Sequence, residues 1–185
     1  MLIARPAPKK NRTSTLRSPL TLDIFDGETA VGEMGLSRRD YIGYVALDGR
    51  RYEVERSRPE ENAVWRALVA LAHGKAPQKA LPNPFLLKDA SGAAVATALP
   101  ARKGIALSHG GREYRYRRIA LFNTAWALYP PEGDMQLGTV AKKAVFSSTV
   151  LLDLPIGLDK AVQVFLLWLR MQHELEAAAN STSTN

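Results

Sequence analysis

From residue 20 onward the chain alternates apolar and polar positions in short runs broken by turn residues. Near its end it changes to one run that is apolar on every side. Leu20, Leu22 and Ile24 alternate up to Asp26-Gly27, a hairpin signal, and a return strand follows over 29–34. Residues 41–47 form the next run, ended by Asp48-Gly49, and 51–56 returns with Tyr52 and Val54 set against Glu53 and Glu55. Residues 60–73 differ. Val64, Leu68 and Leu71 have helical spacing and Gly74 could end a helix, with a strand carrying Trp65 as the alternative. After a proline-containing linker over 74–84, strand-like runs resume at 85–87, 93–99, 105–107, 113–119, 121–129, 135–141 and 144–154.

The last apolar run lies within Pro155 to Leu175. Between Ala161 and Leu169, eight of nine residues are apolar, Gln163 being the exception. At 100° per residue they point nearly all the way round, leaving a narrow gap near Asp159, Lys160 and Gln163. A helix apolar on all sides is enclosed by protein or by lipid. Nine residues fall well short of the ~20 that span a bilayer, so no transmembrane segment is expected. The reading is a sheet wrapped around a central helix, with Phe165 and Trp168 in its core and the Gln163 amide bonded to strand backbone or to a buried water.

The two parts of the strand-rich region repeat each other weakly. Gly49-Arg50-Arg51-Tyr52 matches Gly111-Arg112-Glu113-Tyr114, and each has an upstream turn, at Asp26-Gly27 and at Asp89 to Gly92. Two related half-sheets closing into one barrel would leave no exposed strand edge.

Composition adds limits. One domain fits 185 residues, and 46% hydrophobic with 23% charged residues is ordinary for a globular protein. There is no cysteine, hence no disulfide, thiolate metal site or Cys nucleophile. Of the net charge of +7, residues 1–17 contribute Arg5, Lys9, Lys10, Arg12 and Arg17 with no acid. No apolar segment of signal-peptide length stands there, so a cytoplasmic protein, peripheral to membrane at most, is expected. The expected organisation is a disordered basic leader over 1–17, a single barrel domain over 18–176 with its helix at about 156–176, and a disordered polar tail over 177–185.

Three motifs bear on family: Gln136-Leu137-Gly138-Thr139-Val140-Ala141-Lys142, then Asp153-Leu154-Pro155, then Gln163-Val164-Phe165. Together they resemble the tubby C-terminal domain superfamily, which includes phospholipid scramblases and LURP-one-related proteins. The step from Pro155 to Asp159 is similar to the Pro-x-x-Leu-Asp entry of scramblases into their apolar helix. The Pro-to-Gln spacing here is three residues longer than in tubby proteins, and Val164 stands where they have Ala. The resemblance implies a mostly β fold, a closed antiparallel barrel of about 12 strands around a buried C-terminal α-helix. It also implies binding of phosphoinositide-type or other anionic phospholipid head groups by basic residues, of which only Lys142 lies in a matching motif. The acidic calcium-binding segment of scramblases has no counterpart over 146–150, so calcium is not expected.

The densest charged cluster is Arg112-Glu113-Tyr114-Arg115-Tyr116-Arg117-Arg118. On a strand, Arg115 and Arg117 share one face and Tyr114 and Tyr116 the other. Arg115, Arg117, Lys142 and Lys143 are the candidate head-group site, guanidinium forks suiting phosphate oxygens. Arg102 and Lys103 would join if their hairpin lies nearby. The ordinary reading of these residues is a solvated outer wall. His73, His109 and His173 lack metal-ligand spacing. No nucleophile-elbow, P-loop or dinucleotide motif occurs. No cofactor, no metal and no enzymatic activity is therefore expected, and nucleic acid is not a favoured partner because the chain beyond residue 17 carries only +2. The alternatives to lipid binding are a protein-interaction module and an enzyme whose site assembles from distant residues.

Overall fold

The computed structural model describes residues 1–7, 20–37, 42–57, 83–101, 104–119, 125–144 and 147–182. Twelve strands run in order: β1 (Leu2–Pro6), β2 (Leu20–Asp26), β3 (Thr29–Leu36), β4 (Gly43–Leu47), β5 (Arg50–Arg56), β6 (Phe85–Lys88), β7 (Ala94–Ala101), β8 (Gly104–His109), β9 (Arg112–Arg118), β10 (Trp126–Tyr129), β11 (Gly138–Lys142) and β12 (Val150–Asp153). Helix α1 (Lys160–Thr182) follows. Each strand pairs antiparallel with its sequence neighbours, and β12 closes on β1 through Leu2↔Leu152 and Ala4↔Val150. The result is a closed up-and-down barrel, the arrangement that leaves no strand edge unpaired.

Period-two alternation sets which residues face the lumen. Leu22 and Ile24, Met34 and Leu36, Val45 and Leu47, Ala96 and Ala98, and Leu152 all point inward and are buried. They close on the helix, where all ten residues from Ala161 to Arg170 are buried. Each large apolar side chain so enclosed contributes ~1.5–3 kcal/mol of transfer free energy. Inside, Phe85 meets Trp168 edge-on with ring centroids 5.4 Å apart. The 23-residue helix is about 34 Å long, whereas the eight-residue strands reach about 26 Å. The helix therefore outruns the barrel that holds it.

Four expectations change in detail. Residues 2–6 are not a disordered leader but a barrel strand. Leu2 and Ala4 face the core, and β1 fills the gap between β12 and β2. Five residues are too short a run to stand out in a basic segment. The helix starts at Lys160 rather than about 156, because Pro155 to Leu158 form a turn closed by Leu158 N–H donating to Pro155 O at 2.9 Å. Asp159 is then the N-cap, a favoured residue there. The helix also runs past 176 to Thr182, through Ala177 and Ala178, the residue type of highest helix propensity. The Gln163 amide donates to Leu158 O at 2.8 Å and Pro155 O at 3.4 Å, so it is satisfied by the turn that precedes the helix and not by strand backbone. Residues 60–73 lie outside the described residues. The matched segments starting at Gly49 and Gly111 open β5 and β9, strands four places apart in the ring.

Asp48 and Gly49 both have positive φ, +49° and +76°, the signature of a type I′ hairpin turn. Gly43 matters for another reason. A Cβ there would lie 2.1 Å from Trp168 Nε1 and 2.5 Å from the Gly35 carbonyl oxygen. Only a bare backbone lets the indole sit this close to the wall. Gly43→Ala is expected to lower stability by ~1–3 kcal/mol through overpacking, and Trp168→Ala by ~3–5 kcal/mol through cavity formation. Urea unfolding measures both. An unchanged midpoint for Trp168→Ala would contradict a barrel packed on this helix.

Candidate functional site

The meander divides the connections between two rims. The tight turns at 27–28, 48–49, 89–93, 110–111 and 130–137, with the 154–159 entry to the helix, lie at one rim. The connections 7–19, 37–42, 57–84, 102–103, 119–125 and 143–149 join strands at the opposite rim. In sequence the turn-rim connections contain 6 Asp and Glu and no Lys or Arg. The opposite-rim connections contain 13 Lys and Arg against 3 Asp and Glu. Of those 13, Lys143 alone lies among the described residues.

The four candidate residues lie as follows. Arg115 and Arg117 stand together on β9, with Tyr116 turned inward between them and fully buried. Arg115 Nε donates to Pro130 O at 3.1 Å and its Nη2 to Gly133 O. Arg117 Nη2 donates to Asp134 Oδ1 at 3.0 Å, and its guanidinium lies 4.2 Å from the Tyr129 ring centroid. The Tyr129 hydroxyl, and then the Asp134 carboxylate, hold the Arg117 pKa above its ordinary value. These two arginines thus hold the β10–β11 connection against the wall and bury Tyr129 beneath it. Much of their fork capacity is already used, although Asp134 is itself 79% exposed and its pairing is weakened by solvent.

Lys142 and Lys143 lie elsewhere. By register Lys142 pairs with Val150 and shares the inward parity of Val140, whereas Arg117 pairs with Ala127 on the outward parity. Lys142 and Lys143 sit at the rim opposite the tight turns. The structure brings Arg115 and Arg117 together but does not bring the four onto one face. Arg102 and Lys103 lie outside the described residues. His109 Nδ1 is 2.9 Å from Val95 O, a strand-end role. The His173 ring meets Trp126 edge-on at 5.0 Å. His73 lies outside the described residues. Among the described residues, no three of His, Asp and Glu gather as a metal site, and no helix is long and apolar enough to cross a membrane.

One residue escaped the sequence reading. Arg170 is completely buried at the end of the enclosed helical segment. Its Nε donates to Glu174 Oε1 at 3.1 Å, while Nη1 and Nη2 have no hydrogen-bond partner. The Tyr116 hydroxyl is also buried without a partner. Burial pushes the Tyr116 pKa well up, the Arg170 charge opposes this, and Glu174 adds to it, so the phenol stays protonated. The signal available in the sequence was a charged residue directly after a run buried all round, four residues before an acid.

No protein-family model, no curated protein and no solved structure matches this chain.

At the turn rim, Lys160 Nζ donates to Asp26 Oδ2 at 2.8 Å, fastening the start of the helix to the β2–β3 hairpin. The hydrogen bond, and then the charge, of Lys160 hold the Asp26 carboxyl below its ordinary range. The same contact raises the Lys160 pKa. A carboxyl depressed in the folded state adds stability at neutral pH that is lost as the pH falls from about 4 through the folded value. The raised lysine loses its contribution only as the pH climbs past about 10.4. Asp26→Asn should therefore be less stable than wild type at pH 7, with the difference closing toward pH 2. Urea unfolding across that range checks it, and a gap that stays constant with pH would contradict the ion pair.

Proposed function

We propose that this protein is a non-enzymatic binding domain that docks on anionic phospholipid surfaces, in the manner of a tubby or LURP-one-like barrel. The observation that carries the reading is a difference in sequence composition: the connections that join strands at one rim contain 13 cationic residues against 3 acidic, and those of the other contain 6 acidic residues without a cation. A molecule with this polarity orients in the field of an anionic surface, basic rim first. Basic residues near such a surface are worth ~1 kcal/mol each. The family likeness is supported by how the three motifs meet. Strand β11 carries the first, the turn after β12 the second, and Gln163 of the third bonds the Pro155 carbonyl of the second.

The docking surface in this reading is the rim bearing Lys142 and Lys143. Arg115 and Arg117 hold the wall beside it and are not the head-group contacts themselves. A protein partner is the second reading. It is favoured by a groove of about 360 Å³ on the outer wall, lined by Gly35, Ile42, Tyr44, Arg51 and Glu53, with Ile42 exposed.

Vesicle co-sedimentation tests the proposal with full-length protein. Phosphatidylcholine vesicles are compared with vesicles that also contain phosphatidylserine, at low and high salt. Lys142→Glu/Lys143→Glu and the turn-rim control Arg50→Glu/Arg112→Glu change net charge equally. The expected result is binding to the anionic vesicles alone, weakened by salt, lost in the Lys142/Lys143 variant and kept in the control. Equal loss in both variants would reduce the effect to net charge and overturn the oriented docking. No binding by wild type would overturn the lipid reading and leave the groove as the surface to pursue.

A further inference from the structure

Gln163 is the one polar residue between Ala161 and Leu169, and its amide is taken up by the turn that precedes the helix. Nε2 donates to Leu158 O at 2.8 Å and to Pro155 O at 3.4 Å. Leu158 N–H also donates to Pro155 O at 2.9 Å, and the Leu158 side chain is buried. Between these fastened ends stands Ile156, whose relative exposure is 103%. A β-branched apolar side chain is thus held wholly in water on a turn that is fixed at both ends.

Among the described residues five large apolar side chains are exposed: Met1, Ile42, Ile119, Met135 and Ile156. Single exposed apolar residues are ordinary. Three of these five belong to one sector of the turn rim. Met1 leads into β1, Ile156 follows β12 by three residues, and Met135 precedes β11 by three. Strands β1, β12 and β11 are neighbours in the ring, with Leu2 paired to Leu152 and Thr139 to Asp153. Adjacent strands lie ~4.8 Å apart. The three strand ends therefore span about 10 Å, the width of a helix with its side chains.

Charge narrows the partner. Glu132, Asp134, Asp153 and Asp159 are exposed in the same sector. Among the described residues, Glu132, Asp153 and Asp159 are in no ion pair. Three cations of this sector are engaged within the protein: Arg115 and Arg117 hold the 130–134 turn, and Lys160 holds Asp26. Such a surface repels an anionic membrane and draws a cationic partner. Methionine, unbranched and polarizable, adapts to apolar side chains of varied shape.

We propose that Ile156, Met135 and Met1 form a docking surface for an amphipathic helix of a partner protein, one whose apolar face is flanked by Lys and Arg. Ile156 is the anchor, because its turn is ordered before binding and little conformational entropy is left to lose. The methionines fit around the partner's apolar face, and the carboxylates receive its flanking cations. This surface lies at the rim opposite Lys142 and Lys143, and it stands whether or not that rim meets lipid.

The test titrates the full chain into a fluorescein-labelled helical peptide of Leu and Lys, patterned with Leu on one face, and reads anisotropy. One control peptide has Glu for every Lys, and another has the same composition shuffled so that no apolar face forms. The chain carries +7 overall, so attraction of a cationic peptide needs a local acidic surface. The expected result is that wild type binds the patterned Leu/Lys peptide and neither control. Ile156→Ser/Met135→Ser should bind at least about tenfold more weakly, because an apolar anchor is no longer buried. Glu132→Gln/Asp153→Asn should bind more weakly and with less dependence on salt. Ile42→Ser, the same change at an exposed isoleucine of the other rim, should match wild type. All these side chains are exposed, so melting temperatures should stay as in wild type. No binding by wild type, or equal binding by wild type and Ile156→Ser/Met135→Ser, would overturn the proposal. Equal binding of the shuffled peptide would reduce the effect to charge and overturn it as well. Binding to phosphatidylcholine vesicles, or dimerisation in sedimentation velocity, that is lost in Ile156→Ser/Met135→Ser would assign the patch to lipid or to a second copy of the chain, against the proposal.

Discussion

Everything in this molecule depends on one burial, that of the helix between Ala161 and Arg170 inside a ring of strands. A twelve-strand ring is too wide for the side chains of its own inner face to fill. The helix supplies the missing volume, and the ring supplies the apolar surroundings without which a helix so hydrophobic would not be soluble. The dependence shows in particular contacts: Gly43 lies bare under the Trp168 indole, Phe85 stands edge-on to the same ring, and Lys160 is fastened to Asp26 where the helix enters.

The same burial separates the two ends of the barrel. Because the sheet is a pure meander, alternate connections return at opposite rims, and the two sets differ in sequence composition. Short turns built from Asp, Glu, Gly and Pro gather at the rim where the helix begins. The connections that join strands at the other rim are rich in Lys and Arg in sequence. Arg170 sits at that second end, at the boundary between enclosed and exposed helix.

Much of the architecture was legible in sequence because it rests on local rules. Alternation identified most strands, Asp-Gly pairs marked the hairpins at Asp26 and Asp48, and the all-round apolar run from Ala161 gave the enclosed helix. What stayed hidden depends on long-range pairing. Strand β1 is recognisable only once Leu2 and Ala4 are seen to close the ring against Leu152 and Ile24. Parity around the barrel decides that Lys142 follows Val140 inward while Arg117 faces out. Arg115 and Arg117 were readable as a basic pair, but not as the pair that fastens the 130–134 turn, since their acceptors lie 15 to 18 residues away. The burial of Arg170 was invisible because nothing in Leu169-Arg170-Met171 tells that the enclosure extends one residue past the apolar run.

The most direct measurement of the central claim is native-state hydrogen exchange of the helix amides in increasing denaturant. If the barrel is built on the helix, amides from Val164 to Arg170 exchange only by global unfolding, with the same free energy and denaturant dependence as the inward strands β4 and β12. Exchange of those helix amides through a cheaper opening, with the strand amides still protected, would show that the ring stands without its core and would contradict the account.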